Sequence, residues 1–175
     1  DIGVILGTGT NACYREKISR ITKLKERETK TGFMIINIEW GNFNKLKKNA
    51  YDTKLDSASA NPGEQILEKM VSGMYLGEIT RLVIRDLAKK KILFAGVESS
   101  VLNKQGSFKT EYMSSIEADS SGKLLRVDGL LKNLGVKRSS FEDRVLIKKI
   151  CKKISMRGSR ISASALAAVI TQIDS

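Results

Sequence analysis

The sequence predicts an α/β fold. Two apolar runs rich in β-branched residues, Ile2 to Leu6 and Gly32 to Trp40, stand in the first forty positions and read as strands. Apolar stripes at helical spacing fill most of residues 61–175. One proline and 14 glycines in 175 residues argue against a linker-rich or low-complexity chain. Strands followed by helices place the chain in the α/β or α+β class. Its length suits one ordinary domain with a real core.

Taken in order, Ile2 to Leu6 forms the first strand and runs into Gly7-Thr8-Gly9-Thr10-Asn11. That glycine-rich turn is either a tight hairpin or a loop whose N–H groups point at an anion, with hydroxyls from Thr8 and Thr10. A polar, basic stretch covers residues 15–31, and residues 41–60 read as an irregular loop. At "NPGEQILEKM", Asn61 is placed as N-cap, Pro62 at the first helical position, and Glu64 reaching back to the cap. Apolar residues from Leu67 to Val83 then keep helical spacing, and the helix fades at Lys89 to Lys91. Gly73 and Gly77 lie four apart within it, where each costs helix propensity. They mark close backbone approach to another element or a ligand.

Residues 92–116 are mixed, with a loop at Lys104 to Phe108. A helix over Leu124 to Leu134 stops at Gly135, a residue type that favours the left-handed stop position. Ser139 and Glu142 suggest a further capping box. Ile147, Ile150, Cys151, Ile154, Ile161, Ala165, Ala168 and Val169 then draw one long apolar stripe, with a kink expected near Gly158.

Composition removes some chemistries. There is no histidine, so imidazole catalysis and His-ligated metal are excluded within these residues. Cys13 and Cys151 make no metal-ligand spacing, and no metal site is expected. A reducing, cytoplasmic setting fits two distant cysteines. No apolar run approaches the roughly 20 residues that span a bilayer. The net charge of +12 invites a polyanion. The cations cluster at Lys23 to Lys30, Lys45 to Lys54 and Lys148 to Arg160. Aromatic residues do not interleave with them as stacking platforms would. Solvated faces account for the runs, and no nucleic-acid partner is expected.

Polar residues near the glycine turn carry more. Asn11 follows it, Glu39 ends the second strand beside the only tryptophan, and Glu68 lies one helical turn beyond Glu64. An amide and two carboxylates suit a polyol, because carboxylates accept hydrogen bonds from adjacent hydroxyls. Spacing alone does not bring them together. As single residues, Glu39 and Glu68 read more readily as ordinary surface or ion-paired acids than as ligands of a polyol.

Four segments in order, "GVILGTGTNACY", "INIEWGNF", "NPGEQILEKMVSGMYLGEITRLVIRDL" and "RGSRISASALAAVI", resemble the large domain of eukaryotic hexokinases. "LNKQGSFKTEYMSSIEAD" resembles the animal branch. The resemblance runs nearly end to end. It implies an actin-like, ribonuclease H-like ATPase fold, incomplete here, with residues 1–175 forming part of the large domain. It also implies transfer of the γ-phosphoryl of Mg-ATP to the 6-hydroxyl of glucose or another hexose.

Residue by residue, the resemblance assigns Asn11, Glu39, Gln65 and Glu68 to the sugar. It assigns Gly7, Thr8, Gly9, Gly73, Met74 and the loop Lys104, Gln105, Gly106, Ser107 and Phe108 to ATP. The family's general base is an aspartate in an Asn-Asp-Thr segment expected upstream of Asp1, so no catalytic residue is assigned here. The family's glycine-rich adenosine segment is expected after Ser175. On this reading the isolated chain is an inactive segment of a hexokinase. The loop after "INIEWGNF" is shorter and richer in lysine than the family's, and Ala165 stands where the family usually has Gly. Two other readings remain: a non-catalytic hexokinase-like sugar binder, and a basic module for nucleic acid or acidic membrane.

Overall fold

The computed structural model describes residues 1–24 and 30–174. Residues 25–29, within the predicted polar stretch and the Lys23–Lys30 basic run, lie outside the described residues. Three strands, β1 (Ile2–Leu6), β2 (Thr10–Lys17) and β3 (Phe33–Asn37), form an antiparallel sheet in chain order. Among the described residues six α-helices follow: α1 (Ala50–Ser57), α2 (Ile66–Val71), α3 (Gly73–Lys89), α4 (Thr110–Glu117), α5 (Leu125–Asn133) and α6 (Phe141–Asp174).

The register pairs Leu6 with Thr10 and Ile5 with Asn11, so Gly7-Thr8-Gly9 is a three-residue hairpin loop. β2 extends into the predicted polar stretch. Its alternation explains why composition hid it: Thr10, Ala12 and Glu16 are buried, whereas Arg15 and Lys17 are exposed. Arg15 lies over the Phe33 ring at 4.6 Å, so even its outward cation has an apolar neighbour.

The predicted loop over 41–60 contains a helix. Asn49 caps α1 by accepting the N–H groups of Tyr51 and Asp52, and the Asp52 carboxylate accepts the N–H of Asn49. The helix start predicted at Asn61 is a second correction. Residues 61–65 form turns instead. Asp56 accepts the Gly63 N–H, and helical structure begins only at Ile66, after a left-handed Gln65 (φ 53°). The single helix expected through Lys89 is two helices, broken at Ser72, whose backbone is extended.

The capping box before α6 is formed by Ser140 and Asp143, one position later than expected. Gly135 takes the left-handed conformation after α5 (φ 78°), as its sequence context suggests. α6 continues through Gly158 as one helix of 34 residues.

Two packed clusters organise the chain. The larger joins α3, α4, α5 and the first half of α6 through Ile84, Phe108, Ile116, Val127, Leu131 and Ile147. The smaller lies under the sheet and holds Ala12, Trp40, Ile66, Leu67, Met70 and Val71. Ile161, Ala165, Leu166 and Val169 of α6 pack against it. The apolar stripe of α6 therefore serves two cores. Ala168 is exposed, and Leu166 packs instead. Among the described residues no helix is long and apolar enough to cross a membrane.

Candidate functional site

The hairpin loop is seated against the break between α2 and α3. The N–H of Gly73 donates to the Gly7 carbonyl at 2.7 Å, and the N–H of Met74 donates to that of Thr8 at 3.3 Å. These two donors would otherwise be orphaned at the start of α3. A Cβ on Gly73 would stand 3.1 Å from the Gly7 oxygen. The close approach inferred from the sequence is therefore made to the glycine turn itself.

Thr10, at the start of β2, links three elements. Its N–H donates to Glu68 Oε2 at 2.9 Å. Its hydroxyl donates to the Ile5 carbonyl at 3.0 Å and accepts Trp40 Nε1–H at 2.9 Å. Strand β2 thereby holds Glu68 of α2 and the Trp40 segment around one buried threonine. The sequence reading singled out Thr10 only as a hydroxyl of the turn.

Asn11 and Glu39 meet. Asn11 Nδ2 donates to Glu39 Oε1 at 2.7 Å and to Asn37 Oδ1 at 2.9 Å. Asn37 Nδ2 donates to the same Glu39 oxygen. The Asn11 Oδ1 accepts the N–H of Ala12 at 2.8 Å, which fixes the amide's orientation. Asn37 was not among the predicted site residues. Its signal was present: residues two apart on a strand share a face, and Asn37 precedes Glu39 by two.

Gln65 and Glu68 frame Gly41. A Cβ there would meet Gln65 Oε1 at 2.7 Å, the Thr10 carbonyl at 3.3 Å and Glu68 Cβ at 3.4 Å. Glycine lets the Trp40 segment enter this space. Gln65 is also held by its own N–H, which donates to Asn42 Oδ1 at 3.2 Å. Glu39 and Gln65 both adopt left-handed backbone, with φ near 54° and 53°. For residues with a Cβ this conformation is uncommon and costs of order 1–3 kcal/mol when the surroundings enforce it.

The Lys104–Phe108 loop is fixed to α3. The N–H of Gly106 donates to Glu78 Oε2 at 2.9 Å, and the Phe108 carbonyl lies where a Cβ on Gly77 would be, at 2.4 Å. Thr110, absent from the prediction, ties the loop's end to the site. Its hydroxyl accepts the Gly77 N–H at 2.8 Å and donates to the Gly73 carbonyl. Lys104, Gln105 and Gly106 are exposed, and Met74 is 59% exposed. The Phe108 ring is a core side chain at 1% exposure, stacked edge-on against Tyr112. Its backbone lies against α3 at Gly77. Ser107 Oγ is buried without a hydrogen-bond partner.

Below the site, Lys69 Nζ is buried and donates to Asp56 Oδ1 at 2.7 Å and to the Asn61 carbonyl at 2.6 Å. Burial alone would raise the Asp56 pKa. Hydrogen bonds from Lys69, Lys48 and the Gly63 N–H outweigh it and bring the value down to about 2. This clasp holds the turn that leads to Gln65. Among the described residues no three His, Cys, Asp or Glu side chains converge as a metal site.

The family model described as Hexokinase matches residues 1–175. The chain belongs to the hexokinase family. It is 44% identical to Hexokinase-1 of Spinacia oleracea over 173 residues, covering 97% of this chain and 35% of that protein. It is 39% identical to Hexokinase-1 of Homo sapiens over 178 residues, covering 99% of this chain and 19% of that protein. The solved hexokinase of Schistosoma mansoni complexed with glucose superposes with a TM-score of 0.90 at 32% identity, over 99% of this chain and 40% of that one. The chain thus has the hexokinase fold, and it spans between about a fifth and two fifths of these relatives.

Proposed function

We propose that residues 1–175 are part of the large domain of an ATP-dependent hexose kinase, and that they supply its sugar-holding side chains and one wall of its phosphate site. The observation that carries this reading is the double use of one hairpin. On one side Asn11 meets Glu39, and Thr10 meets Glu68. On the other, Gly7 and Thr8 are locked to the start of α3. A hexose hydroxyl can donate to the Glu39 and Glu68 carboxylates and to the remaining lone pair of Asn11 Oδ1, and accept from the Gln65 amide. Thr8 and the loop's glycines are the phosphate-facing part. Gly73 and Met74 act by shape, since their N–H groups are already taken by the hairpin.

Phosphoryl transfer depends mainly on positioning and charge stabilisation, and a hairpin joined to both α2 and α3 fixes sugar and nucleotide relative to each other. The co-substrate is ATP, with Mg²⁺ arriving on its phosphates. No residue of this chain is assigned as the general base, which the resemblance gives to an aspartate of an Asn-Asp-Thr segment. The setting is cytoplasmic. The glucose-complexed relative supports the hexose assignment.

The test uses the longer parent protein and measures glucose-dependent ATP consumption. Asn11→Ala, Glu39→Ala and Glu68→Ala should each lower kcat/KM by about a hundredfold or more, as expected when a positioning contact to substrate is lost. Full activity in all three variants would overturn the assignment. Trp40 gives an independent readout. Glucose should change its fluorescence, and Glu39→Ala should remove that change.

A further inference from the structure

A cavity of about 660 Å³ opens between the segment after β3 and the second half of α6. Its walls are apolar: Trp40, Phe43, Leu46, Ile161, Ala165 and Val169 all line it. The Phe43 ring is 48% exposed, an unusual position for a large aromatic side chain unless something covers it. Both the volume and the apolar lining match sites that enclose a small organic ligand.

Two charged side chains reach this cavity, Glu39 and Arg160. The Glu39 carboxylate is engaged by the amides of Asn11 and Asn37. Arg160 has no carboxylate partner among the described residues. One turn earlier on α6, Arg157 is bound bidentately by Asp52 at 2.9 and 2.8 Å. The wall residue Leu46 lies between Lys45 and Lys47, which also have no carboxylate partner among the described residues. Lys48, by contrast, pairs with Asp56 at 2.9 Å. Among the described residues the lining therefore presents one unpaired cation, Arg160, beside apolar walls, while the Glu39 carboxylate is already engaged by two amides. A guanidinium in such a place pairs well with a planar anion through parallel N–H donors.

We infer that this cavity is a binding site for a small aromatic or otherwise apolar acid, its anionic group paired with Arg160 and its body against Trp40 and Phe43. The unpaired Arg160 guanidinium selects an anion, and the concave apolar volume suits a small molecule.

Anilinonaphthalene sulfonate, an apolar aromatic anion, is a direct probe. It should bind the chain saturably at one site. Arg160→Glu should weaken binding by about tenfold or more, and Arg160→Lys by only about threefold, as expected when a bidentate pair is lost or replaced by a point charge. Ala168→Trp, at an exposed position on the cavity wall, should abolish binding by filling the space. On the unaltered chain the uncharged phenylnaphthylamine should bind about tenfold more weakly or worse, which tests the anion preference without any variant. Equal binding of the two dyes would remove the role of Arg160. Dye binding unchanged by both Arg160→Glu and Ala168→Trp would assign the signal to the exposed Ile5 and Ile35 of the sheet (66% and 62% exposed) and overturn the site. Absence of saturable binding would do the same.

Discussion

Glu68 Oε2 accepts the backbone N–H of Thr10 at 2.9 Å, across 58 positions of sequence. Thr10 is buried, so the bond cannot be replaced freely by water. Glu68→Ala should lower stability by about 1–3 kcal/mol, the usual cost of an unpaired buried polar group. Glu68→Gln keeps a carbonyl oxygen for Thr10 and should cost less than about 1 kcal/mol. On the proposed sugar-holding role of Glu68, both variants of the proposed hexose kinase should also lose glucose affinity, because both lose the carboxylate. Denaturant unfolding and glucose titration, run side by side, separate the two roles. Equal stability of the Ala and Gln variants would show that the bond to Thr10 contributes nothing.

Three glycines should respond differently to alanine. A Cβ on Gly77 would lie 2.4 Å from the Phe108 carbonyl oxygen and 2.6 Å from Thr110 N, both backbone atoms that cannot swing aside. Gly77→Ala should therefore cost at least about 3 kcal/mol, at or beyond the upper end for overpacking. At Gly73 the nearest atom is the Gly7 oxygen at 3.1 Å, and a shift of a few tenths of an ångström relieves it. About 1 kcal/mol is expected there. Gly129, inside α5, has no atom within 4 Å of its Cβ position. Alanine there should stabilise by about 0.5–1 kcal/mol through helix propensity. Thermal melts of the three variants give the order directly.

How much of this was legible in the sequence depended on where each signal lies. Gly73 and Gly77 stood out because glycine in an apolar helical pattern has a local cost and needs a reason. The α1 helix did not stand out, because its buried residues include Asp52 and Asp56, and their partners Arg157 and Lys69 lie 105 and 13 positions away. An acid buried by a distant cation breaks hydrophobic periodicity without leaving a local trace. The same Asp56 overrode the expected cap at Asn61 by drawing in the Gly63 N–H and the Lys69 ammonium. Within the site, Asn11, Glu39 and Glu68 were chosen as suitable chemistry for a polyol. Their grouping around Thr10 and Asn37 required the β1–β2–β3 register. Strand alternation could have nominated Asn37, whereas nothing local points to Thr110.

The Lys69–Asp56 pair should behave as a buried pair. Lys69 is 3% exposed, and Lys69→Met leaves Asp56 with one fewer donor in a desolvated place. A loss of about 3 kcal/mol or more is expected. Lys90→Ala removes a pair with Asp86 in which the lysine is 60% exposed, and should cost less than about 1 kcal/mol. Acid supplies a second test. The folded Asp56 value of about 2 lies below the ordinary 3.8. Its stabilisation is therefore complete above the ordinary value and is lost as pH falls through the folded one. Between about pH 4 and pH 2 the unaltered chain should lose more stability than Asp56→Asn, whose side chain does not titrate. Parallel slopes for the two proteins across that window would show that Asp56 contributes no linkage.

The two cysteines should differ in reactivity by site. Cys151 is fully buried in the larger core, and burial, with Glu117 nearby, pushes its thiol up to about 12. The thiolate is the reactive form, so this side chain should be inert in the folded protein. Cys13 is half-buried on β2, its sulfur 3.0 Å from where a Cβ on Gly3 would stand. A thiol-reactive disulfide reagent at mild alkaline pH should therefore titrate one thiol in the native chain, and Cys13→Ser should bring that to none. In denaturant the unaltered chain should show both of its two cysteines. Because Cys151 reacts only when the α4–α6 packing opens, its labelling rate in the Cys13→Ser variant reports that opening. Gly77→Ala, which disturbs the backbone leading into α4, should speed it. If Cys151 reacts as fast as Cys13 in the native chain, the core around Ile116 and Ile147 is not closed as described.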